Sequence, residues 1–293
     1  MELKKLNYFV TIVDQMSFSK AAEKLHISQP SLSKAMKNME SELGFQLIER
    51  DTRNIRLTEA GEILYDRALH LLLEMEIVNK EMQEVKLVGK GEIRLGMIES
   101  VKHWIPKVLS QYNKKFPEVN ITLTEVLSGE DVKTSLRKYE THAVITNQLV
   151  KEIDIETIPL YNEKLVLVLH ESHPLVESDV ISLNMLEKEP FIISTKGFQT
   201  REGILRAFEL EGATPTIKYE IERFETVLSL VRENLGIAII PENYLQGPSD
   251  YAIRSRTITS SVLERTVYLT FMKNRYLSPS IQAFITETRG FFG

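Results

Sequence analysis

The sequence predicts an α/β chain in which a small helical head is joined by one long helix to a larger, two-lobed body. Three observations carry that prediction. The 293 residues exceed one ordinary core and, at roughly 150 residues per domain, correspond to about two. Apolar residues recur at helical spacing near the N-terminus and then step strictly by four and three over about three heptads. After Gly91 strands and helices alternate, the pattern of sheets with helices on their faces.

The head reads as three short helices and a hairpin. Leu6, Phe9, Val10 and Val13 line a first helix, and Ala21, Ala22 and Leu25 a second over Ser19 to Leu25, with Ser17 and Ser19 as capping hydroxyls at its start. His26-Ile27-Ser28 is a turn. A third helix opens Gln29-Pro30-Ser31, since proline in a first turn gives up no helical hydrogen bond. Leu32, Ala35, Met36, Met39 and Leu43 form its apolar face, and Gly44 stops it. Gln46 to Thr58 is a short hairpin, or wing, around Asp51-Thr52-Arg53-Asn54. Two helices, a tight turn and a third amphipathic helix make a helix-turn-helix, whose later helix can enter the DNA major groove.

From Thr58 to about Leu87 a single helix follows, ~45 Å long at ~1.5 Å per residue. Leu64, Ala68, Leu71, Met75, Val78, Met82 and Val85 form a seam at 3.5-residue spacing, which fits pairing with a second helix. In the body, strands are expected at Ile93–Ile98, Val119–Val126, Ala143–Thr146, Lys164–Leu169, Phe191–Ser194, Thr216–Ile221, Gly236–Ile240 and Thr266–Phe271. Helices are expected from Trp104 to Phe116, Asp131 to Tyr139, Arg201 to Glu211, Glu225 to Asn234 and Ile281 to Thr288. The alternation implies parallel sheets in two halves joined by crossing strands, with a ligand cleft at the strand C-termini.

Composition narrows the function. With 43% hydrophobic and 26% charged residues the chain has a globular composition. The absence of cysteine excludes disulfides, thiolate nucleophiles and iron–sulfur clusters. No apolar run approaches the ~18 residues of a membrane span. Charges interrupt the N-terminus, so no secretory leader is read and a cytoplasmic location is expected. The net charge of −5 argues against binding nucleic acid by bulk charge, but it averages over unlike parts. Residues 1–60 hold nine Lys/Arg and eight Asp/Glu, a net of +1, so affinity for DNA would have to come from placed contacts. No phosphate-binding glycine loop or catalytic grouping is visible, and His170-Glu171-Ser172-His173 leads into Pro174 rather than into a metal-site spacing. No enzyme activity, metal or cofactor is expected.

Particular residues narrow it further. Phe9, Ser17-Phe18-Ser19-Lys20-Ala21-Ala22-Glu23-Lys24-Leu25, Ser28-Gln29-Pro30-Ser31-Leu32-Ser33, Met39-Glu40, Leu43-Gly44, Leu47, Arg50, Arg53 and Leu57-Thr58-Glu59-Ala60-Gly61 closely resemble the N-terminal signature of LysR-type transcriptional regulators. Leu95-Gly96, Pro106, Phe116-Pro117, His173-Pro174-Leu175 and Gly236-Ile237-Ala238-Ile239-Ile240-Pro241 resemble that family's effector domain. The resemblance implies a winged helix-turn-helix at 1–58, a dimerisation helix at 59–89 and an effector domain at 90–293, similar to type 2 periplasmic binding proteins. Its first lobe would take about 90–161 and 267–293, its second about 162–266. The resemblance also implies a homodimer or homotetramer, double-stranded promoter DNA, a small-molecule effector and RNA polymerase as partners.

Gln29 suits bidentate contact with adenine, Ser31 and Ser33 can reach base edges or phosphate, and Lys34 suits guanine or phosphate. Pro30 sets the helix start, and Arg50 and Arg53 on the wing suit the DNA backbone or minor groove. For the effector, Ser100, Ser128 and Thr200 match positions that line the family's pocket; Thr146, Thr195 and Arg201, also at strand ends or helix starts, are further candidates. Hydroxyls and N–H groups so placed suit a carboxylate or other small anion, though each also suits a helix cap. Three residues depart from the family pattern: His142 stands where Asp is usual, Glu99 adds negative charge beside Ser100, and Asn234 replaces a small residue. Two rival readings remain: an α/β binding protein or enzyme whose N-terminal helices only dimerise it, and a regulator that answers to a protein partner instead of a small molecule.

Overall fold

A computed structural model describes residues 2–50, 55–86, 91–245, 251–260 and 263–292. It divides into two compact units, Met1–Lys86 and Leu87–Gly293. The turn expected at Asp51 to Asn54, including Arg53, lies outside the described residues, as do Gly89 and the side chain of Arg50.

The first unit contains α1 (Leu3–Gln15), α2 (Phe18–Lys24), α3 (Gln29–Leu43), the hairpin β1 (Ile48–Arg50) and β2 (Ile55–Leu57), and α4 (Glu59–Val85). Capping fixes the ends. Ser17 and Ser28 accept from the backbone N–H groups of Lys20 and Ser31, and Gly44 closes α3 with φ +75°. Leu6, Phe9, Ile12, Leu32, Met36 and Met39 bury together, each contributing about 1.5–3 kcal/mol of transfer free energy. α4 begins at Thr58, whose Oγ1 accepts from Gly61 N–H at 3.0 Å and donates to the Gln46 carbonyl at 2.7 Å. That pair of hydrogen bonds ties the wing to the long helix. The expected seam divides: Ala68 is buried and Leu64 packs on this unit's own core, whereas Leu71, Met75, Val78, Met82 and Val85 stay exposed.

The second unit is one sheet of nine strands. Its strands are β3 (Gly91–Met97), β4 (Val119–Glu125), β5 (Ala143–Thr146), β6 (Ile155–His170), β7 (Pro190–Ser194), β8 (Thr216–Ile221), β9 (Ile237–Pro241), β10 (Ile253–Arg256) and β11 (Glu264–Met272). Its helices are α5 (Ile105–Lys115), α6 (Gly129–Arg137), α7 (Gln199–Leu210), α8 (Phe224–Arg232) and α9 (Pro279–Gly290). The order β4-β3-β5-β11-β6-β9-β7-β8, with β10 on β6, makes two lobes, each with its first strand central. Apolar layers cover both faces of each lobe.

Two expectations need correcting. The sheet is mixed rather than parallel: β11 runs antiparallel to β5 and β6, and β6 antiparallel to β9. The chain passes between the lobes on β6 and β11, so each lobe receives these strands against the direction of its own. The strand expected from Lys164 begins at Ile155. Pro159, which lacks an N–H, sits where the β6–β11 register slips, and with Glu156, Asn162 and Glu163 it masks the strand pattern. Among the described residues, no helix is long and apolar enough to cross a membrane.

Candidate DNA-reading face and effector cleft

α3 turns Leu32, Met36 and Met39 inward, so Gln29, Pro30, Ser31 and Lys34 are exposed at its N-terminal end and Ser33 is half-exposed. Gln29 Nε2 donates to Ser33 Oγ at 2.9 Å, which fixes the amide while leaving its carbonyl and second N–H outward. The hydroxyls of Ser28 and Ser31 are 2.7 Å apart, so Ser31 is tied to the cap. Lys34 has no hydrogen bond or ion pair among the described residues. Glu40, on the far side of α3, accepts from the N–H groups of Leu47 at 2.9 Å and Ile48 at 3.3 Å. The strand that ends at Arg50 therefore starts from a fixed point on the helix. Arg56, a basic side chain not among the expected contacts, is exposed on β2.

In the second unit, a cavity between the lobes is lined by Ile98, Glu99, Ser100, Leu127, Asn147, Phe198, Thr200, Glu222, Phe224, Tyr244 and Arg265. Ser100, in the turn after β3, and Thr200, in the first turn of α7, reach it from opposite lobes. Arg265 at the start of β11 brings them together: its Nη2 donates to Ser100 Oγ at 3.2 Å and its Nη1 to Thr200 Oγ1 at 2.7 Å. Its Nε and Nη2 each lie 2.6 Å from Glu163 Oε2 on β6. Glu163 Oε1 accepts from Tyr161 at 3.0 Å and from Asn243 at 2.9 Å. The pair is deeply buried, with side-chain exposures of 9% for Arg265 and 1% for Glu163, so its charges are spent on each other and its geometry is fixed by the surrounding bonds. Asn147 Nδ2 also approaches Thr200 Oγ1, at 3.4 Å. With their oxygens accepting from the guanidinium, both hydroxyls keep their own hydrogens to donate to a ligand.

The other four expected effector residues do not reach the cavity wall. Ser128 is the cap of α6: its Oγ accepts from Asp131 N–H at 3.1 Å and donates to that carboxylate at 2.6 Å. Thr146 is buried, its Oγ1 accepting from Gln148 N–H at 3.0 Å. The Thr195 N–H donates to the Ile221 carbonyl at 2.8 Å, continuing the β7–β8 ladder. Arg201 is buried and donates to the Ser194 carbonyl at 2.7 Å and to Glu220 at 3.0 Å, tying α7 to its sheet.

The departures from the family pattern have physical roles. His142 Nδ1 accepts from Arg94 N–H at 3.0 Å, pinning β5 to β3 away from the cavity. Asn234 takes the left-handed conformation, φ 54°, that ends α8. Glu99 crosses the cleft: its Oε2 accepts from Phe224 N–H at 3.1 Å, at the first turn of α8. Its Oε1 accepts at 3.2 Å from Lys102 Nζ, which also donates to Glu225 at 2.6 Å. Burial works against the Lys102 charge, but the bonds to Glu225 and Glu99 outweigh it and raise its pKa; the Lys102 bond lowers that of Glu225. Arg223 adds a second crossing pair, to Glu125 at 2.9 Å. Burial, and next the Glu99 charge, push the Tyr244 phenol upward, so it stays protonated. About 30 Å³ of the cavity is open to the centre of a water-sized sphere, enough for on the order of two waters. The cleft is closed. Elsewhere, His173 Nδ1 accepts from Leu175 N–H at 3.2 Å, and His170 pairs with Ser172 at 2.7 Å, so this segment is held by local caps.

A helix-turn-helix with an exposed recognition end, and a two-lobed α/β unit with a polar cleft, together define a ligand-responsive DNA-binding protein. Residues 3–62 match the model of bacterial regulatory helix-turn-helix proteins of the lysR family, and residues 88–292 match the LysR substrate binding domain. The chain belongs to the LysR family of bacterial transcriptional regulators, DNA-binding proteins with an effector-binding domain. It is 32% identical to the regulator BenM of Acinetobacter baylyi over 82% of this chain and 80% of that one. It is 29% identical to the Hca operon transcriptional activator HcaR of Escherichia coli, over 97% and 96%. Among solved structures, full-length BenM superposes with a TM-score of 0.60 at 26% identity, covering 100% of this chain and 97% of that one. An OxyR variant from Pseudomonas aeruginosa gives 0.63 at 25%, covering 98% and 93%.

Proposed function

We propose that this chain reads an operator through the N-terminal end of α3, and that an effector bound between the two lobes controls it. Gln29 reads a base edge, Lys34 meets a phosphate, Ser31 and Ser33 add shorter contacts, Pro30 sets the helix start, and Arg50 and Arg53 hold the DNA backbone. The exposed stripe from Leu71 to Val85 pairs two copies, so the operator is an inverted repeat, and a dimer of dimers spans two such sites. The effector presents an acidic group to the hydroxyls of Ser100 and Thr200. Its binding shifts the population of head arrangements, with RNA polymerase as the downstream partner in the cytoplasm. This reading gives the cleft a binding role and no catalytic one.

The supporting observation is the outward end of α3, where Gln29 is held by Ser33 and Lys34 has no pair among the described residues, beside a fully buried apolar face. Gel shifts on the chain's own promoter region test it. Gln29→Ala should weaken specific binding by about 1–3 kcal/mol and relax the preference at one base pair. Lys34→Ala should weaken all sequences alike and lower the salt slope by about one. Unchanged binding in both variants would remove α3 from the reading.

A further inference from the structure

The cleft that receives an acidic group at Ser100 and Thr200 has a second half of opposite character. We propose that the effector is a small zwitterion of the amino-acid type. Its carboxylate meets the two hydroxyls, its ammonium meets Glu99 and Glu222, and its apolar body lies between Phe198, Phe224 and Tyr244. The proposal rests on the cleft being the effector site.

Charge is the first reason. Glu99, Glu125, Glu163, Glu222 and Glu225 stand in or beside the cleft, against Lys102, Arg223 and Arg265. Arg265 is spent on Glu163, Arg223 on Glu125, and Lys102 is shared by Glu99 and Glu225. Five carboxylates therefore face three cations, and Glu222 has no ion-pair partner among the described residues. A ligand with only negative charge would enter a site already in negative excess. One that brings an ammonium along with its carboxylate would not.

The cleft also shows how it holds an ammonium. Lys102 Nζ lies between the Glu99 and Glu225 carboxylates, 5.2 Å from the centre of the Tyr244 ring. Two carboxylates and an aromatic face are the surroundings a ligand ammonium needs. Tyr244, 8% exposed, lines the same cavity and faces the Glu99 carboxylate, whose charge acts on its phenol.

Entry supplies the last reason. The closed cavity has no room for a metabolite, so binding must part the lobes. That breaks the Lys102–Glu225, Glu99–Phe224 and Glu125–Arg223 contacts. A zwitterion replaces part of what it breaks, because its ammonium takes the place of the Phe224 N–H at Glu99 Oε2, while Lys102 stays on the same turn as Glu99. A simple acid only breaks.

Thermal shift and calorimetry on the full-length protein test this with matched trios. L-phenylalanine is compared with 3-phenylpropanoate and 2-phenylethylamine, L-leucine with 4-methylpentanoate and 3-methylbutylamine, and likewise through the protein amino acids. At least one amino acid should bind ~10-fold or more tightly than both of its partners. Glu99→Gln should erase that advantage while leaving the acid's affinity unchanged or improved. Glu222→Gln, at an exposed position outside the contacts between the lobes, should reduce it without affecting the melting of the unliganded protein. An acid that binds as well as its amino acid overturns the zwitterion and leaves the effector site standing. An amine that binds alone overturns the role of the hydroxyls. Silence from every acid, amine and amino acid overturns the effector site itself.

Discussion

The outer end of α3 and the cleft of the second unit treat polar groups in opposite ways. On α3, Gln29, Ser31 and Lys34 stand in solvent, the first two held by neighbours within four residues. In the cleft, Arg265, Glu163, Ser100 and Thr200 are buried, and the guanidinium bonds to residues 65, 102 and 165 positions away. The first surface is a set of local choices on a rigid helix. The second exists only once the whole unit has folded, so its parts cannot be changed singly without cost. A reading face built locally can change its sequence preference without disturbing the fold. A cleft built from distant buried charges ties ligand recognition to stability.

The sharpest way to break this contrast is at Arg265. Arg265→Ala leaves Glu163 buried and unpaired, which should destabilise the second unit by about 3–5 kcal/mol, ~6–20 °C in Tm. Replacing both partners with apolar residues, Arg265→Met with Glu163→Leu, should recover much of the loss, since an absent pair costs less than a broken one. Thermal unfolding followed by circular dichroism reads both variants. A single variant that melts within a degree of the parent would show that the pair is not coupled to the fold.

A smaller effect should come from the joint of wing and long helix. A Cβ at Gly61 would lie 2.1 Å from the Leu47 carbonyl oxygen, which itself accepts from Thr58 N–H at 3.1 Å. Gly61→Ala should therefore cost about 1–3 kcal/mol in the first unit by overpacking and weaken DNA binding by moving the wing. Smaller again, Ser28→Ala removes the α3 cap and should cost about 0.5–2 kcal/mol. Because the cap also positions Ser31, gel shifts should show loss of affinity even at temperatures where the variant remains folded. Melting curves with urea titration separate the two contributions.

The same contrast governs what could be read from the chain. Helices α1 to α3, the start at Pro30 and the stop at Gly44 were legible because the determining residues lie within a turn of what they determine. The seam of α4 was legible only in its outer part, since periodicity cannot say whether Leu64 and Ala68 face a second copy or their own core. The family pattern points to Ser100 and Thr200, which both line the cavity. Ser128 and Arg201 stand off the cavity wall, because a hydroxyl or guanidinium at a helix start serves a cap or a tether equally well. Arg265, Asn147, Phe198 and Tyr244 come from four separate segments and left no local motif. One signal was available. Arg265 shares the two-residue alternation of the buried Leu263, Val267 and Leu269, and Glu163 that of Leu165, Leu167 and Leu169. Opposite charges in the inward register of two strands mark a buried pair once those strands are known to adjoin.

The smallest expected effect tests the closed state of the cleft by pH. His103 lies edge-on to Tyr244, ring centres 5.4 Å apart, and its buried Nε2 has no hydrogen-bond partner among the described residues. Burial, and next the charge of Lys102, hold its pKa below the ordinary 6.5. The folded unit thus favours neutral imidazole, while the unfolded chain takes up a proton first as pH falls. Unfolding then binds protons, so stability rises with pH across that window. This contribution is complete above 6.5, declines as pH falls from 6.5 towards the depressed folded value, and is constant below it. The Lys102–Glu225 contact does not change in that window, because the Glu225 carboxylate is held below its ordinary 4.5. Between about pH 7.5 and about pH 5.5, the parent's Tm should therefore fall more than that of His103→Gln, and the difference should vanish above neutrality. Parallel curves would mean that the imidazole is hydrated, and hence that the turn from Glu99 to His103 is not sealed against Tyr244.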